Sequence, residues 1–209
     1  MIEPHPSAKF FVSVKYKTST LVTDVLDLFR KTGALLHGHF VLRSGLHSRQ
    51  FFQCALLLQD ATAAAHVCGL LAEKLKPFEA TTVISPAIGG IIVGQEVARH
   101  LGKRHIFAEK DGSGVLVLRR GFTIVAGESF LVAEDVVTRG GRLHETIQIV
   151  ENHGGIVAAA GSIVDRSGGS LPDFGCPFVS LVQMDVETFA PDKLPADLAA
   201  IPAIKPGSK

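Results

Sequence analysis

Phe130-Leu131-Val132-Ala133-Glu134-Asp135-Val136-Val137-Thr138-Arg139-Gly140-Gly141-Arg142 is the stretch that decides the fold. Its four leading apolar residues read as a buried strand, of the kind found in parallel sheets covered on both faces. The strand carries two adjacent carboxylates, Glu134 and Asp135, to its C-terminal end, the edge where open α/β sheets bind ligands. Thr138, Gly140 and Gly141 then lead into a helix with Leu143, Ile147 and Val150 on one face. Glycines let backbone N–H groups turn toward an anion, and a helix N-terminus adds positive potential. The expectation is a phosphate cradle beside an acid pair suited to ribose hydroxyls or a magnesium-bound diphosphate. The plainer alternative is a strand–turn–helix whose acids cap the helix. The order of strand, two acids, Thr and two glycines favours the first reading.

Working outward, the same alternation recurs. Thr82-Val83-Ile84-Ser85 reads as a buried strand, and Gly89-Gly90 opens a helix that Gly102 ends. His105 to Ala108 is a further strand, followed by a flexible loop at Asp111-Gly112-Ser113-Gly114 and strand-like segments at 115–118 and 122–125. Ile156 to Val164 and Phe178 to Val182 complete the set. Strand and helix in alternation predict an α/β fold with a mostly parallel sheet and right-handed crossovers. Toward the N-terminus, Leu21, Val22, Val25, Leu26 and Phe29 mark a helical face that stops at Gly33. Phe40-Val41-Leu42 and Phe51-Phe52 are strand-like on either side of a turn at residues 43–48. Asp60 is placed to cap a second helix that ends before Pro77. Residues 1–17 are ambiguous: Phe10 to Val14 fits a short strand or an arm. The Pro- and Ala-rich tail from Pro191 is expected on the surface.

Composition limits the function. A chain of 209 residues with 46% hydrophobic and 20% charged residues can bury one sizeable core. Its net charge of +1 is too balanced for a protein that coats nucleic acid by charge. Cys54, Cys68 and Cys176 form no C-x-x-C pair, which argues against a zinc or disulfide framework. The nine histidines show no metal-ligand spacing. No basic-then-apolar leader is visible in Met1 to Pro6, and no apolar run spans a bilayer, so a soluble cytoplasmic protein without membrane contact is expected. Gly89-Gly90 followed by Gly94 does not fit the dinucleotide-binding glycine pattern.

Val132-Ala-Glu-Asp-Val-Val-Thr-Arg-Gly-Gly141 closely resembles the phosphoribosyl-diphosphate motif of type I phosphoribosyltransferases. Further segments resemble orotate phosphoribosyltransferases in particular: Gly38 to Ser48, Phe51 to Ala55, Pro86 to Gly90, Phe107 to Lys110, Leu118 to Phe122, and Asp165-Arg166. The likeness covers about residues 20–190. It implies the type I phosphoribosyltransferase fold, a central sheet flanked by helices with a small N-terminal hood. Residues 1–60 would form the first helix and hood, 61–190 the core and 191–209 a tail. The implied reaction transfers ribose 5-phosphate from phosphoribosyl diphosphate to orotate, with Mg2+, in de novo pyrimidine (UMP) synthesis.

The resemblance also implies roles. Glu134 and Asp135 would bind the ribose hydroxyls, with Val136 and Val137 following in the donor site. Thr138, Arg139, Gly140, Gly141 and Arg142 would hold the 5-phosphate. Thr138, Arg166, Phe51 and Phe52 would contact orotate, and at least one of the two phenylalanines should be core, since consecutive strand residues face opposite ways. Arg43 would sit near diphosphate or orotate. Lys110, before a mobile loop, would reach the diphosphate in the partner's site of a homodimer. Magnesium would be held mainly by the diphosphate rather than by protein ligands. The chain departs from many relatives at Ile88-Gly89, where they carry Tyr-Lys, and at Glu109, where they often carry Arg. The loop after Lys110 is short, leaving Arg119 and Arg120 as candidates to compensate.

Overall fold

The computed structural model describes residues 20–42, 44–184 and 186–206. The reading of Phe10 to Val14 and the role of Arg43 lie outside the described residues. The chain starts with α1 (Thr20–Lys31), whose Val25, Leu26 and Phe29 are buried at helical spacing. Next come β1 (Leu35–Val41) and β2 (His47–Phe52), an antiparallel pair with Leu35 opposite Phe52 and Val41 opposite His47. A short α2 (Cys54–Leu58), for which the sequence carries no separate signal, precedes α3 (Ala61–Leu75). Asp60 caps α3 as expected, accepting the N–H groups of Thr62 at 2.9 Å and Ala63 at 3.0 Å.

The core follows as β3 (Thr82–Pro86), α4 (Gly89–Leu101), β4 (Arg104–Lys110), β5 (Leu116–Leu118), β6 (Ser129–Val137), α5 (Gly141–Asn152), β7 (Ile156–Asp165) and β8 (Phe178–Gln183). Their sheet has the order β5-β4-β3-β6-β7-β8, parallel throughout except for β5. Burial on both faces explains the unbroken apolar runs. In β6, Leu131 and Ala133 pack on the α1–α4 side, while Phe130 and Val132 pack on the α5 side. The order turns outward on either side of the β3–β6 pair, so a crevice opens at the C-terminal ends of those two strands.

Three segments differ from expectation. Residues 122–125 form no strand: Gly121 and Gly127 take left-handed conformations on either side. The Thr123 carbonyl is taken instead by Arg104 Nη2 at 2.9 Å, and Phe122 stacks edge-on against Phe107 at 5.1 Å. The expected flexible loop at 111–114 is a tight turn, because Asp111 Oδ1 accepts the N–H groups of Ser113 at 2.9 Å and Val115 at 3.0 Å. The tail is not merely surface. Just before it, β9 (Thr188–Phe189) pairs with β2 in a second, three-stranded sheet of order β1-β2-β9, and the tail itself forms α6 (Ala196–Ala199). Leu198 is buried, and Ile204 bridges to Phe40 of β1. Among the described residues no helix is long and apolar enough to cross a membrane.

Candidate active site

The acid pair emerges where β6 leaves the core. Glu134 is buried, and its Oε1 accepts the N–H of Asp135 at 3.2 Å. Burial, reinforced by the Asp135 carboxyl beside it, pushes the Glu134 pKa well above the usual carboxylate range. Asp135 is half-buried, and its Oδ1 accepts the N–H of Val136 at 2.8 Å. Facing both acids is the turn from β3 into α4. A Cβ at Gly89 would lie 2.3 Å from Asp135 Oδ2, so only glycine lets the backbone rest against that carboxylate.

Val137 is buried and closes β6. Thr138 and Arg139 are exposed in the following loop. Gly140 adopts φ of +77° at the head of α5, and a Cβ there would meet Phe174 at 2.7 Å. Both constraints select glycine and set the first turn of α5 facing outward. Arg142 stands in that turn, paired to Glu145 at 2.8 Å.

The opposite wall combines the loop after β7 with the β1–β2 hairpin. Arg166 is tied by its backbone N–H to the Val137 carbonyl at 2.8 Å, which sets it beside the β6–α5 loop. The preceding Asp165 is buried and turns the chain by accepting the Ser167 N–H at 2.8 Å. The Arg166 guanidinium lies 5.8 Å from the Phe52 ring centre. Its Nε is buried and has no hydrogen-bond partner among the described residues. Burial lowers the Arg166 pKa, yet a guanidinium remains charged. A half-buried cation whose Nε is an unused buried donor is a strong demand for an anionic acceptor. Between the two walls lies a cleft of about 730 Å³, lined by Thr138, Arg139, Gly141 and Arg142 on one side and by Phe51, Leu42, Leu46 and Arg166 on the other.

A family model described as phosphoribosyl transferase domain matches residues 57–192. The orotate phosphoribosyltransferase of Carboxydothermus hydrogenoformans is 47% identical over 188 residues, covering 89% of this chain and 97% of that protein. This chain belongs to the orotate phosphoribosyltransferase family. The protein of the same name from Methylorubrum extorquens is also 47% identical over 188 residues, covering 89% of this chain and 95% of its own length. Among solved structures, the orotate phosphoribosyltransferase from Aeropyrum pernix matches with a TM-score of 0.66 at 26% identity, covering 76% of this chain and 93% of that one.

Within this member of the orotate phosphoribosyltransferase family, the residues singled out from sequence separate into three groups. Thr138, Arg139, Gly141, Arg142, Phe51 and Arg166 line one cleft. Glu134, Asp135, Val136, Val137 and Gly140 belong to the same strand and loop but do not line it. Phe52 and Lys110 lie elsewhere. Phe52 is buried beneath the cleft, edge-on to Phe29 at 5.2 Å, the alternation that consecutive strand residues require. Lys110 ends β4 on the exposed hairpin, opposite Leu116, and does not line the cleft. Sequence reasoning assigned no role to Gly89, Ser167, Gly168 or Ser170, although a second small, glycine-rich turn directly after Arg166 was a usable signal. Thr188 also lines the cleft, and no local pattern marks it, because β9 brings it in from just before the tail.

Proposed function

We propose that this chain is a cytosolic enzyme that transfers ribose 5-phosphate from phosphoribosyl diphosphate to orotate, giving orotidine 5′-phosphate and diphosphate. The observation that carries this reading is one cleft with an anion cradle on one wall and, on the other, a guanidinium beside an aromatic residue whose buried Nε has no acceptor among the described residues. A sugar phosphate and a flat carboxylate are the two ligands such walls suit.

The pyrimidine ring nitrogen forms a bond to the anomeric carbon as the bond from that carbon to the diphosphate oxygen breaks; the electron pair leaves with diphosphate, which also takes up the proton that the ring nitrogen loses. Positive charge develops on the ribose ring, as in other glycosyl transfers. Asp135 and Glu134 serve the ribose hydroxyls. Thr138 to Arg142 hold the 5-phosphate through hydroxyl, backbone and guanidinium donors. Arg166 pairs with the orotate carboxylate, Phe51 covers the ring, and Phe52 supports Arg166 from below. Positioning and electrostatics do most of the work. The hard carboxylate oxygens of this acid pair fit Mg2+. Held chiefly by the diphosphate, the ion would offset charge on the leaving group. By the family likeness, Lys110, which does not line this cleft, would serve the diphosphate of the neighbouring site in a homodimer.

The test is spectrophotometric. Orotate absorbance should fall only when phosphoribosyl diphosphate and Mg2+ are both present, and adenine should not compete. No loss of orotate beside an active control enzyme, or consumption of adenine instead, overturns the assignment.

A further inference from the structure

Behind the acid pair runs a hydrogen-bond chain that the reaction itself does not use. Ser85, fully buried near the end of β3, has its Oγ 2.8 Å from His105 Nε2 on β4. On its other side, His105 Nδ1 lies 3.3 Å from Gln95 Oε1 on α4. An amide oxygen only accepts, so the ring proton sits on Nδ1, Nε2 accepts, and the Ser85 hydroxyl donates. Burial pushes the His105 pKa down to about 4, which keeps the ring neutral and the chain of one polarity at physiological pH. The helix passes directly over this bond. A Cβ at Gly94 would stand 2.4 Å from His105 Nε2 and 2.7 Å from Ser85 Oγ. Two neighbouring strands and the helix above them are thus pinned at one point.

That point is one residue before Pro86, where β3 gives way to the turn into α4. The same turn abuts the acids. Gly89 rests on Asp135, and a Cβ at Gly90 would be 3.3 Å from Ser85 Cβ and 3.4 Å from Glu134 Oε1. One short segment therefore touches the pin on one side and both carboxylates on the other. In a packed interior a displacement on one side is felt on the other, because there is no slack to absorb it.

We infer that His105 is a positioning residue which, through Ser85 and Gln95, holds the 86–90 turn at its distance from Glu134 and Asp135 and so sets the affinity for the sugar-diphosphate donor. This rests on the acid pair being the donor's seat. His105 never meets substrate; its effect passes through the backbone of the turn.

Three variants test it. His105→Phe keeps a ring and loses both bonds. Ser85→Ala removes the hydroxyl with almost no change in volume. His105→Gln returns a side chain able to reach Ser85. The first two should raise KM for phosphoribosyl diphosphate about three- to tenfold, the scale of one or two lost hydrogen bonds, while KM for orotate stays put. The double variant should be no worse than the poorer single, since both remove one chain. His105→Gln should recover most of the loss. Amide exchange at residues 88–91 should quicken in His105→Phe, whether or not the protein turns over. Equal rises in both KM values, or a lowered melting temperature alone with both KM values and amide exchange unchanged, overturn the inference. If wild type binds no donor by calorimetry, the functional reading falls instead, and the exchange measurement still decides whether His105 pins the turn. Should His105→Phe fail to fold, Ser85→Ala carries the same comparison.

Discussion

The two walls of the cleft are built in opposite ways. The phosphate wall, lined by Thr138, Arg139, Gly141 and Arg142, follows the acid pair directly in sequence and grows out of the buried central strand β6. The hood wall is assembled from the β1–β2 hairpin, the loop after β7 and β9, brought together across more than a hundred residues, and its hairpin is held by a few polar and aromatic pins. Arg49 donates to both oxygens of Asp197, at 2.8 and 2.7 Å, and its guanidinium lies 4.9 Å from the Phe189 ring centre. His39 contacts the Ile201 carbonyl through Nδ1 at 2.7 Å and His47 Nδ1 through Nε2 at 2.5 Å. A wall rooted in the core inherits global stability, whereas one held by a handful of pins belongs to the low-stability end of the molecule. The rigid wall suits a donor whose charge must be met at fixed positions, and the softer wall suits a flat base that enters and leaves.

The largest expected effect lies on the rigid wall. Asp135→Asn keeps shape and removes charge, so turnover should fall by about a hundredfold or more, with thermal unfolding little changed. A large loss of melting temperature in that variant would make Asp135 a structural residue and erase the contrast between the walls. Next comes the shared-site question. Lys110→Ala and Asp135→Ala homodimers should each be nearly inactive, and refolded mixtures should regain activity. Equal amounts give about half mixed dimers, each with one intact site of two, hence about a quarter of wild-type activity. Verified mixed dimers that stay at the parental level would return Lys110 to its own chain or remove it from the site.

The soft wall should respond differently. Arg49→Ala removes the tail's clamp, in which one guanidinium nitrogen meets both oxygens of the exposed Asp197 carboxylate and the guanidinium stacks near Phe189. Melting temperature should drop about 2–4 °C, and KM for orotate should rise severalfold while KM for the donor does not. Equal changes in both KM values would show that the hood serves both substrates. The smallest effect concerns Glu134. Its folded-state pKa is raised, so the folded protein holds a proton that the unfolded chain releases as pH rises past the ordinary carboxylate value. Stability should therefore decline with pH from that value up to the raised one and then level off. Glu134→Gln removes the titration and should raise melting temperature by about 2 °C or more at pH 8, with little change at pH 4. An equal shift at both pH values would mean that Glu134 does not titrate in this range.

The same contrast explains what was legible. The acid pair, Thr138 and the glycines could be read because their chemistry and periodicity sit in one short stretch, and Arg166 only because Asp165-Arg166 resembles a family segment. The hood was harder. Alternation required one of Phe51 and Phe52 to be core, but only the partner elements decide that Phe52 meets Phe29 while Phe51 lines the cleft. Nothing near Thr188 or Ile204 marks either residue for the hood sheet, since their partners Ser48 and Phe40 are far away in sequence. Residues 122–125 carried β-forming side chains, yet their left-handed flanks leave no strand to pair. Gly89's contact with Asp135 joins two elements that sequence spacing cannot relate.

The most direct test of the account is a crossed measurement on Arg166→Ala and Asp135→Asn, reading KM for each substrate with the other saturating. Loss of a charge-assisted hydrogen bond of about 1.5–3 kcal/mol should raise KM for orotate about ten- to a hundredfold in Arg166→Ala, with the donor's KM within about threefold of wild type. Asp135→Asn should show the reverse, with the larger penalty on phosphoribosyl diphosphate. If each variant weakens both substrates by the same factor, the two walls do not divide the substrates between them, and the central claim is wrong.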